Sequence, residues 1–252
     1  MRATFKTLVL VLSLFTTLPA FAVDWPNRSV LGVIGASFAD CRAPVDSPLM
    51  GVGYAGCSYE ALAVKLQKNR LLDALNITVQ STALGGGYSH DVPGTGWNGF
   101  LTQYNEMMAR TFWFDGVPRL KYLLISIPND CLHSVLCSQE QMLNGYIANI
   151  KQVANLAGQA GVTVIINGYP EWQDLDMNLA ALVFGLNNVI DESNYNILKN
   201  LHASELSVLP GVIYITPWKD NFNTIDGLHP KEEHVKTAAK LIAKEIKKQE
   251  GM

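Results

Sequence analysis

Three short stretches combine the residue types that nucleophilic and acid–base chemistry require. In Asp226-Gly227-Leu228-His229-Pro230 an acid and a histidine stand three apart on a turn. At that spacing the carboxylate can accept the imidazole Nδ1 proton, which leaves Nε2 to take a proton from an alcohol. In Gly35-Ala36-Ser37 a serine follows an apolar run, so its hydroxyl can face a crevice and its N–H an anion. In Pro128-Asn129-Asp130 an asparagine amide, a neutral donor suited to an oxyanion, also follows an apolar run. Singly, each has an ordinary explanation as a helix cap or turn residue. Together, and in this order, they supply a nucleophile, its base, the base's partner and an oxyanion donor.

The elements that must position them follow from hydropathy. Val30 to Ile34, Ile77 to Val79, Leu120 to Ile127, Val162 to Ile166 and Val212 to Ile215 are short apolar runs of the kind a strand buried on both faces requires. Helical spacing lies between them. Leu62, Leu66 and Leu75 form one stripe, and Met142, Tyr146, Ile150 and Val153 another. A third helix is expected near Asn194 to Leu206. A fourth runs from Pro230, in its first turn, with Val235, Ala238, Ala239, Ile242 and Ile246 inward and Lys244, Lys247 and Lys248 at its far end. Strands alternating with helices imply parallel pairing and right-handed crossovers, hence an α/β fold: a three-layer α/β/α sandwich with a central sheet of about five parallel strands. Ligands in such sheets sit at the carboxyl ends of the strands, where the three stretches fall. The Gly/Pro-rich segments 40–57 and 85–99 read as loops over strand ends, so residues 23–252 form one domain.

These motifs resemble the four blocks of the SGNH hydrolases, the GDSL-type lipases and esterases, spread from Gly35 to Pro230. Gly35-Ala36-Ser37 stands for Gly-Asp-Ser, and Gly86, within Gly85-Gly86-Gly87, for the second block's glycine, in a register that could be off by one. Ile127-Pro128-Asn129-Asp130 stands for Gly-x-Asn-Asp, and Asp226, His229 and Pro230 match Asp-x-x-His-Pro in full. The resemblance implies a flavodoxin-like fold, with Ser37 as nucleophile, His229 as base and Asp226 as its orienting partner. It places the oxyanion hole at the N–H groups of Ser37 and Gly86 and the amide of Asn129. No metal or organic cofactor is required. The implied activity is hydrolysis of carboxylic esters, with small-molecule, lipid or acetylated-carbohydrate substrates. Acyl transfer through the same residues, or a non-catalytic binding module on this fold, are the alternatives. Ala36 replaces a supporting residue, whereas Ile127 replaces a small one and could narrow the site or shift Asn129.

Other signals are weaker. Gly35-Ala36-Ser37-Phe38-Ala39 falls one residue short of a G-x-S-x-G elbow and follows the first strand rather than a later one. The G-x-G-x-x-G strings at Gly51 and Gly94 lack the strand-to-helix setting of dinucleotide binding. His90 could touch substrate or act as the base, but it has no spaced acid. His133 reads as a loop residue, and His202 and His234 as solvated helix positions. Trp97, Phe100, Trp113 and Phe114 read as packing residues, with Trp97 placed to line an acyl or sugar pocket. Asn27-Arg28-Ser29 and Asn76-Ile77-Thr78 match the glycosylation pattern without support elsewhere.

Composition sets the bounds. With 48% apolar and 16% charged residues in 252, the chain can bury a full core. A formal charge of −3 gives no basic excess for nucleic acid. Arg2 and Lys6 precede the apolar run Leu8 to Phe15, and Ala20-Phe21-Ala22 follows. Residues 1–22 therefore read as a secretory signal, and the protein as periplasmic or secreted, with no stable membrane span. In an oxidising compartment the four cysteines read as two local disulfides, Cys41–Cys57 and Cys131–Cys137; a metal site at Cys131, His133 and Cys137 lacks the usual spacing. Oligomeric state is not legible.

Overall fold

The computed structural model describes residues 28–47, 51–55, 61–111, 118–132, 137–185, 189–218 and 223–252. The signal-like segment 1–22, Asn27, Cys57, Trp113, Phe114 and His133 lie outside them.

A five-stranded parallel sheet runs in the order β4-β1-β5-β6-β7, from β1 (Ser29–Ile34), β4 (Ile77–Ser81), β5 (Leu120–Ile125), β6 (Thr163–Asn167) and β7 (Val212–Ile215). The central strands β1, β5 and β6 are buried almost throughout, which is why they read as largely apolar runs, with Lys121 the one exposed position in β5. Edge strand β4 alternates instead, burying Ile77, Val79 and Ser81. Leu120 extends into register against Val30, and β5 ends at Ile125 rather than Ile127.

Helices cover both faces. On one, α1 (Leu62–Gln67) and α2 (Arg70–Ala74) pack against α8 (Glu232–Gln249). On the other, α3 (Phe100–Thr111) packs on α5 (Ala148–Gln159), and α7 (Glu192–Leu206) on a π-helical stretch (Met142–Ile147) that continues the short α4 (Gln139–Gln141). A short α6 (Met177–Phe184) precedes α7. The stripe through Leu62, Leu66 and Leu75 breaks at Asn69, whose Oδ1 accepts the N–H groups of Leu71 and Leu72 and starts a new helix. Pro230 lies before α8, not in its first turn: it forms a bridge with Thr224, and Lys231 is the N-cap. The buried face of α8 is the expected one, Val235, Ala238, Ala239, Ile242, Ala243 and Ile246; each wholly buried isoleucine there contributes roughly 1.5–3 kcal/mol.

Residues 40–57, expected as loop, contain an antiparallel pair, β2 (Ala43–Ser47) on β3 (Gly51–Ala55). Pro44, Gly51 and Gly53 mask its strand signal. Cys131 and Cys137 form a disulfide with Cα atoms 5.4 Å apart, and Cys41 is also disulfide-bonded. Among the described residues no helix is long and apolar enough to cross a membrane.

His202 departs from its expected solvated position. It is 1% exposed, its Nδ1 lies 2.9 Å from the Tyr214 hydroxyl, and the Tyr169 ring crosses its own at 5.0 Å. Burial pulls its pKa down to about 3, whereas a histidine in an unfolded chain titrates near ~6.5. Between those values the unfolded chain binds a proton that the native state refuses. Stability therefore falls as pH drops below ~6.5, by about 1.4 kcal/mol per pH unit for this one group. His202→Gln, which cannot titrate, is expected to flatten the acid limb of stability, read as urea midpoints from pH 7 to pH 4. A slope unchanged by the substitution contradicts this assignment.

Candidate active site

The strand order reverses between β1 and β5, and the crevice at that switch point is where a doubly wound sheet binds its ligand. Ser37 follows β1 and Asn129 follows β5, so both border it.

The loop after β1 is held from three sides. Gly35 donates its N–H to Gln103 Oε1 at 2.8 Å, and its carbonyl accepts from Gln103 Nε2 at 3.3 Å and from the Leu84 N–H at 3.1 Å. Gly35 has φ +139°, and a Cβ there would stand 2.8 Å from the Ser126 Cβ, so glycine is required before Ser37. The Ala36 N–H donates to the Ile127 carbonyl at 3.3 Å. Ile127 is wholly buried in the core. Ala36 is buried too, in a position where an apolar methyl carries no desolvation cost.

Asp40, 4% exposed, ties this loop to the next. Its Oδ2 accepts from Arg42 Nε at 2.9 Å, Arg42 Nη2 at 2.7 Å and Ser81 Oγ at 2.9 Å. The Arg42 carbonyl then accepts the Gly85 N–H at 2.6 Å. Of the three consecutive glycines after β4, Gly85 donates to Arg42 and Gly87 donates to the Leu84 carbonyl at 2.9 Å. No described residue accepts the Gly86 N–H. The Trp97 indole N–H donates to the Gly85 carbonyl at 2.9 Å, so Trp97 props the glycine loop.

Asn129 donates its backbone N–H to the Gly87 carbonyl at 3.0 Å and is 8% exposed. Its side-chain amide has no hydrogen-bond partner among the described residues. Asp130 fastens the same two loops: its carboxylate accepts the Ser89 N–H at 2.6 Å and the Ser89 hydroxyl at 2.7 Å.

The fourth piece travels furthest. β7 lies at the sheet edge, whereas α8 starts beside α1, where Lys65 pairs with Glu232 at 2.6 Å. Between them in the chain, His229 Nδ1 lies 2.7 Å from Asp226 Oδ2, while Asp226 Oδ1 accepts the N–H groups of Leu228 at 3.1 Å and His229 at 2.7 Å. The histidine is 5% exposed, and its ring packs 5.8 Å from that of Phe38, the residue after Ser37. Burial pushes the Asp226 carboxyl up, but the His229 hydrogen bond and charge and the two backbone donors outweigh it, so it titrates below the usual carboxylate range. The stability this pairing gives is present above the unfolded carboxylate value and is lost as pH falls through the lowered one. Gly227, at φ +86°, lies against α6: a Cβ there would stand 2.1 Å from the Asp176 carbonyl.

The loops that carry Ser37, Gly86 and Asn129 are thus joined by backbone hydrogen bonds, and the Asp226–His229 pair is seated against Phe38. Sequence reasoning missed the supports Asp40, Arg42, Gln103 and Ser89. Of these only Gln103 left a trace, as a polar residue on the buried stripe of Phe100, Tyr104 and Met107. His90 is exposed and lies 3.3 Å from Asp130 rather than beside Ser37's loop. Among the described residues no cluster could hold a metal ion. A hollow of about 640 Å³ lined by Lys151, Thr163 and Val212 opens at the opposite, amino ends of β6 and β7.

No family model and no curated protein matches the sequence. Solved structures do. A carbohydrate acetylesterase from Sinorhizobium meliloti is 17% identical, with 88% of this chain and 100% of that one covered at TM-score 0.59. An aryl esterase of M. smegmatis is 13% identical over 87% and 99%, also at TM-score 0.59. A GDSL-like lipase from Bacteroides thetaiotaomicron is 13% identical over 88% and 89% at TM-score 0.52. Likeness at such identities speaks for architecture, and by it the chain has the SGNH-hydrolase fold.

Proposed function

We propose that the protein is an exported serine hydrolase that cleaves carboxylic esters through an acyl-enzyme on Ser37. The observation that carries this reading is the Asp226–His229 pair at 2.7 Å, packed against the nucleophile loop through Phe38. The esterases and the lipase that share the fold support it as well.

A serine hydroxyl is almost wholly protonated at neutral pH and needs an adjacent base. Asp226, kept ionised, accepts the Nδ1–H of His229, and this fixes the tautomer in which Nε2 is the basic nitrogen. As Ser37 Oγ bonds to the ester carbonyl carbon, its proton passes to Nε2. The carbonyl oxygen becomes an oxyanion, held by the N–H groups of Ser37 and Gly86 and by the Asn129 amide. When the C–O bond breaks, the alcohol leaves with the proton from Nε2. Water then repeats the sequence on the acyl-enzyme and releases the acid. Each preorganised donor is worth roughly 2.7–4 kcal/mol in the transition state.

Export rests on Arg2, Lys6 and the apolar run to Ala22, and the disulfides fit that compartment. The test of the activity is stopped-flow hydrolysis of a short-chain chromogenic ester by the purified protein. The expected trace is a burst of about one alcohol per chain followed by slower turnover, the mark of an acyl-enzyme. No release above the buffer rate overturns the reading.

The α6 contact gives a further expectation. Gly227→Ala must push the 224–230 loop away from Asp176, which displaces Asp226 and His229 together. A misplacement of about 1 Å costs on the order of 100-fold in kcat. Steady-state kinetics alongside a thermal melt check it, and a fully active variant contradicts this account of the loop.

A further inference from the structure

We infer that a cationic hollow on the helical face of α1, α2 and α8 is a binding site for phosphate groups, separate from the candidate active site. The hollow, of about 380 Å³, lies where α1 and α2 pack against α8. Lys65, Lys68, Arg70, Lys236 and Lys240 line it, and among the described residues no acid does. None of its lining residues belongs to the candidate active site.

Such a gathering runs against the composition, since the chain carries 22 acids and only 19 lysines and arginines. Elsewhere Arg28, Arg42, Arg110, Lys121, Lys151 and Lys199 each pair with an acid. In the hollow Lys65 pairs with Glu232, whereas Arg70, Lys236 and Lys240 have no ion pair among the described residues. The nearest acids along the chain are engaged with other groups. Asp73, three residues after Arg70, holds Arg28, and Glu232, four before Lys236, holds Lys65 at 2.6 Å. Glu233 lies 3.7 Å from His234, and Glu245 3.5 Å from Lys248.

Like charges held together cost stability, and Lys236 and Lys240 stand one helical turn apart on the same face of α8. An anion between them and the opposite wall of Lys68 and Arg70 removes that repulsion. Leu71 and Ala239 add apolar surface to the lining, and charges backed by such surface attract an anion more strongly than charges in open water do.

The donors select the class of anion. A guanidinium meets phosphate oxygens in pairs, and ammonium groups meet them as point charges. Asn69 Oδ1 accepts the Leu71 and Leu72 N–H groups, so the Asn69 side chain offers the hollow its NH₂ group, a further donor. The volume admits a phosphate together with the small group that carries it. A free phosphate compound and the headgroup of an anionic phospholipid share this chemistry.

The test uses the purified protein and its Lys236→Gln/Lys240→Gln double variant, in which both changes are at exposed positions. Inorganic phosphate is one probe, read as the thermal midpoint in sodium phosphate against sodium chloride at equal ionic strength. Vesicles of phosphatidylglycerol and of phosphatidylcholine are the other, read by flotation. Wild-type protein is expected to melt higher in phosphate, to float with phosphatidylglycerol but not phosphatidylcholine, or both. A response to phosphate alone identifies a soluble compound as the source, and flotation identifies a lipid headgroup. Each lost cation weakens binding about fivefold, so the double variant should bind about 30-fold more weakly. Response to neither probe, or equal responses from the two proteins, overturns the site. The variant should hydrolyse a short-chain chromogenic ester at the wild-type rate, so failure of the anion site leaves ester hydrolysis standing. A variant slowed on that ester contradicts the separation of the two sites.

Discussion

Ser37→Ala is expected to lower kcat by about six orders of magnitude, to the residual rate that binding and oxyanion stabilisation alone provide. The methyl group has no lone pair to attack with, and neither the His229 base nor the Gly86 and Asn129 donors can replace it. Fold and stability should be nearly untouched, because the loop is held by Gly35, Ala36 and Asp40 through their own hydrogen bonds. The burst of alcohol should vanish along with steady turnover. Hydrolysis by the variant at the wild-type rate would mean that another group is the nucleophile.

Asp226→Asn isolates the tautomer. The asparagine carbonyl can still accept the Leu228 and His229 N–H groups at Oδ1, so the turn should persist. At the other position an NH₂ now faces His229 Nδ1. The ring then keeps its proton on Nε2, where it can no longer accept one from Ser37. The expected loss is about four orders of magnitude in kcat with the thermal midpoint little changed. His229→Ala should be nearly as severe as Ser37→Ala, since these groups act as a unit. If Asp226→Asn retains kcat, the carboxylate serves the turn alone.

Much of this was legible in the sequence for a physical reason. Strands β1, β5 and β6 are covered on both faces, so they are apolar at most positions, and such runs stand out. Asp226 and His229 pair across three residues, within reach of a pattern search. The supports of the site are a different case. Gln103 reaches Gly35 across 68 residues and Ser81 reaches Asp40 across 41, and no local periodicity encodes such a contact. Helix α3 escaped notice because Gln103 and Thr111 interrupt its buried stripe. His202 looked solvated because its cover comes from Tyr169 and Tyr214, which belong to other elements. The break at Asn69 and the hairpin at 43–55 depend on single capping and glycine positions rather than on a run of residues.

Ala36 and Ile127, the two departures from the SGNH-hydrolase motifs that the sequence resembles, are both buried, and Ile127 belongs to the core. Residues among and beside these donors bond to neighbouring loops, Ala36 to Ile127, Gly85 to Arg42 and Asn129 to Gly87, so each loop braces the next. Preorganisation of this kind is what makes an oxyanion hole effective, because no rearrangement is needed when charge develops.

Covalent labelling with an alkyl phosphonate ester tests the shared assignment of Ser37, His229 and Asp226 without knowledge of the natural substrate. Peptide mass spectrometry should find a single phosphonyl group, on the fragment that carries position 37, and its formation should slow by orders of magnitude in His229→Ala. An adduct on any other side chain, or equal labelling with and without the imidazole, contradicts the convergence on which the mechanism depends.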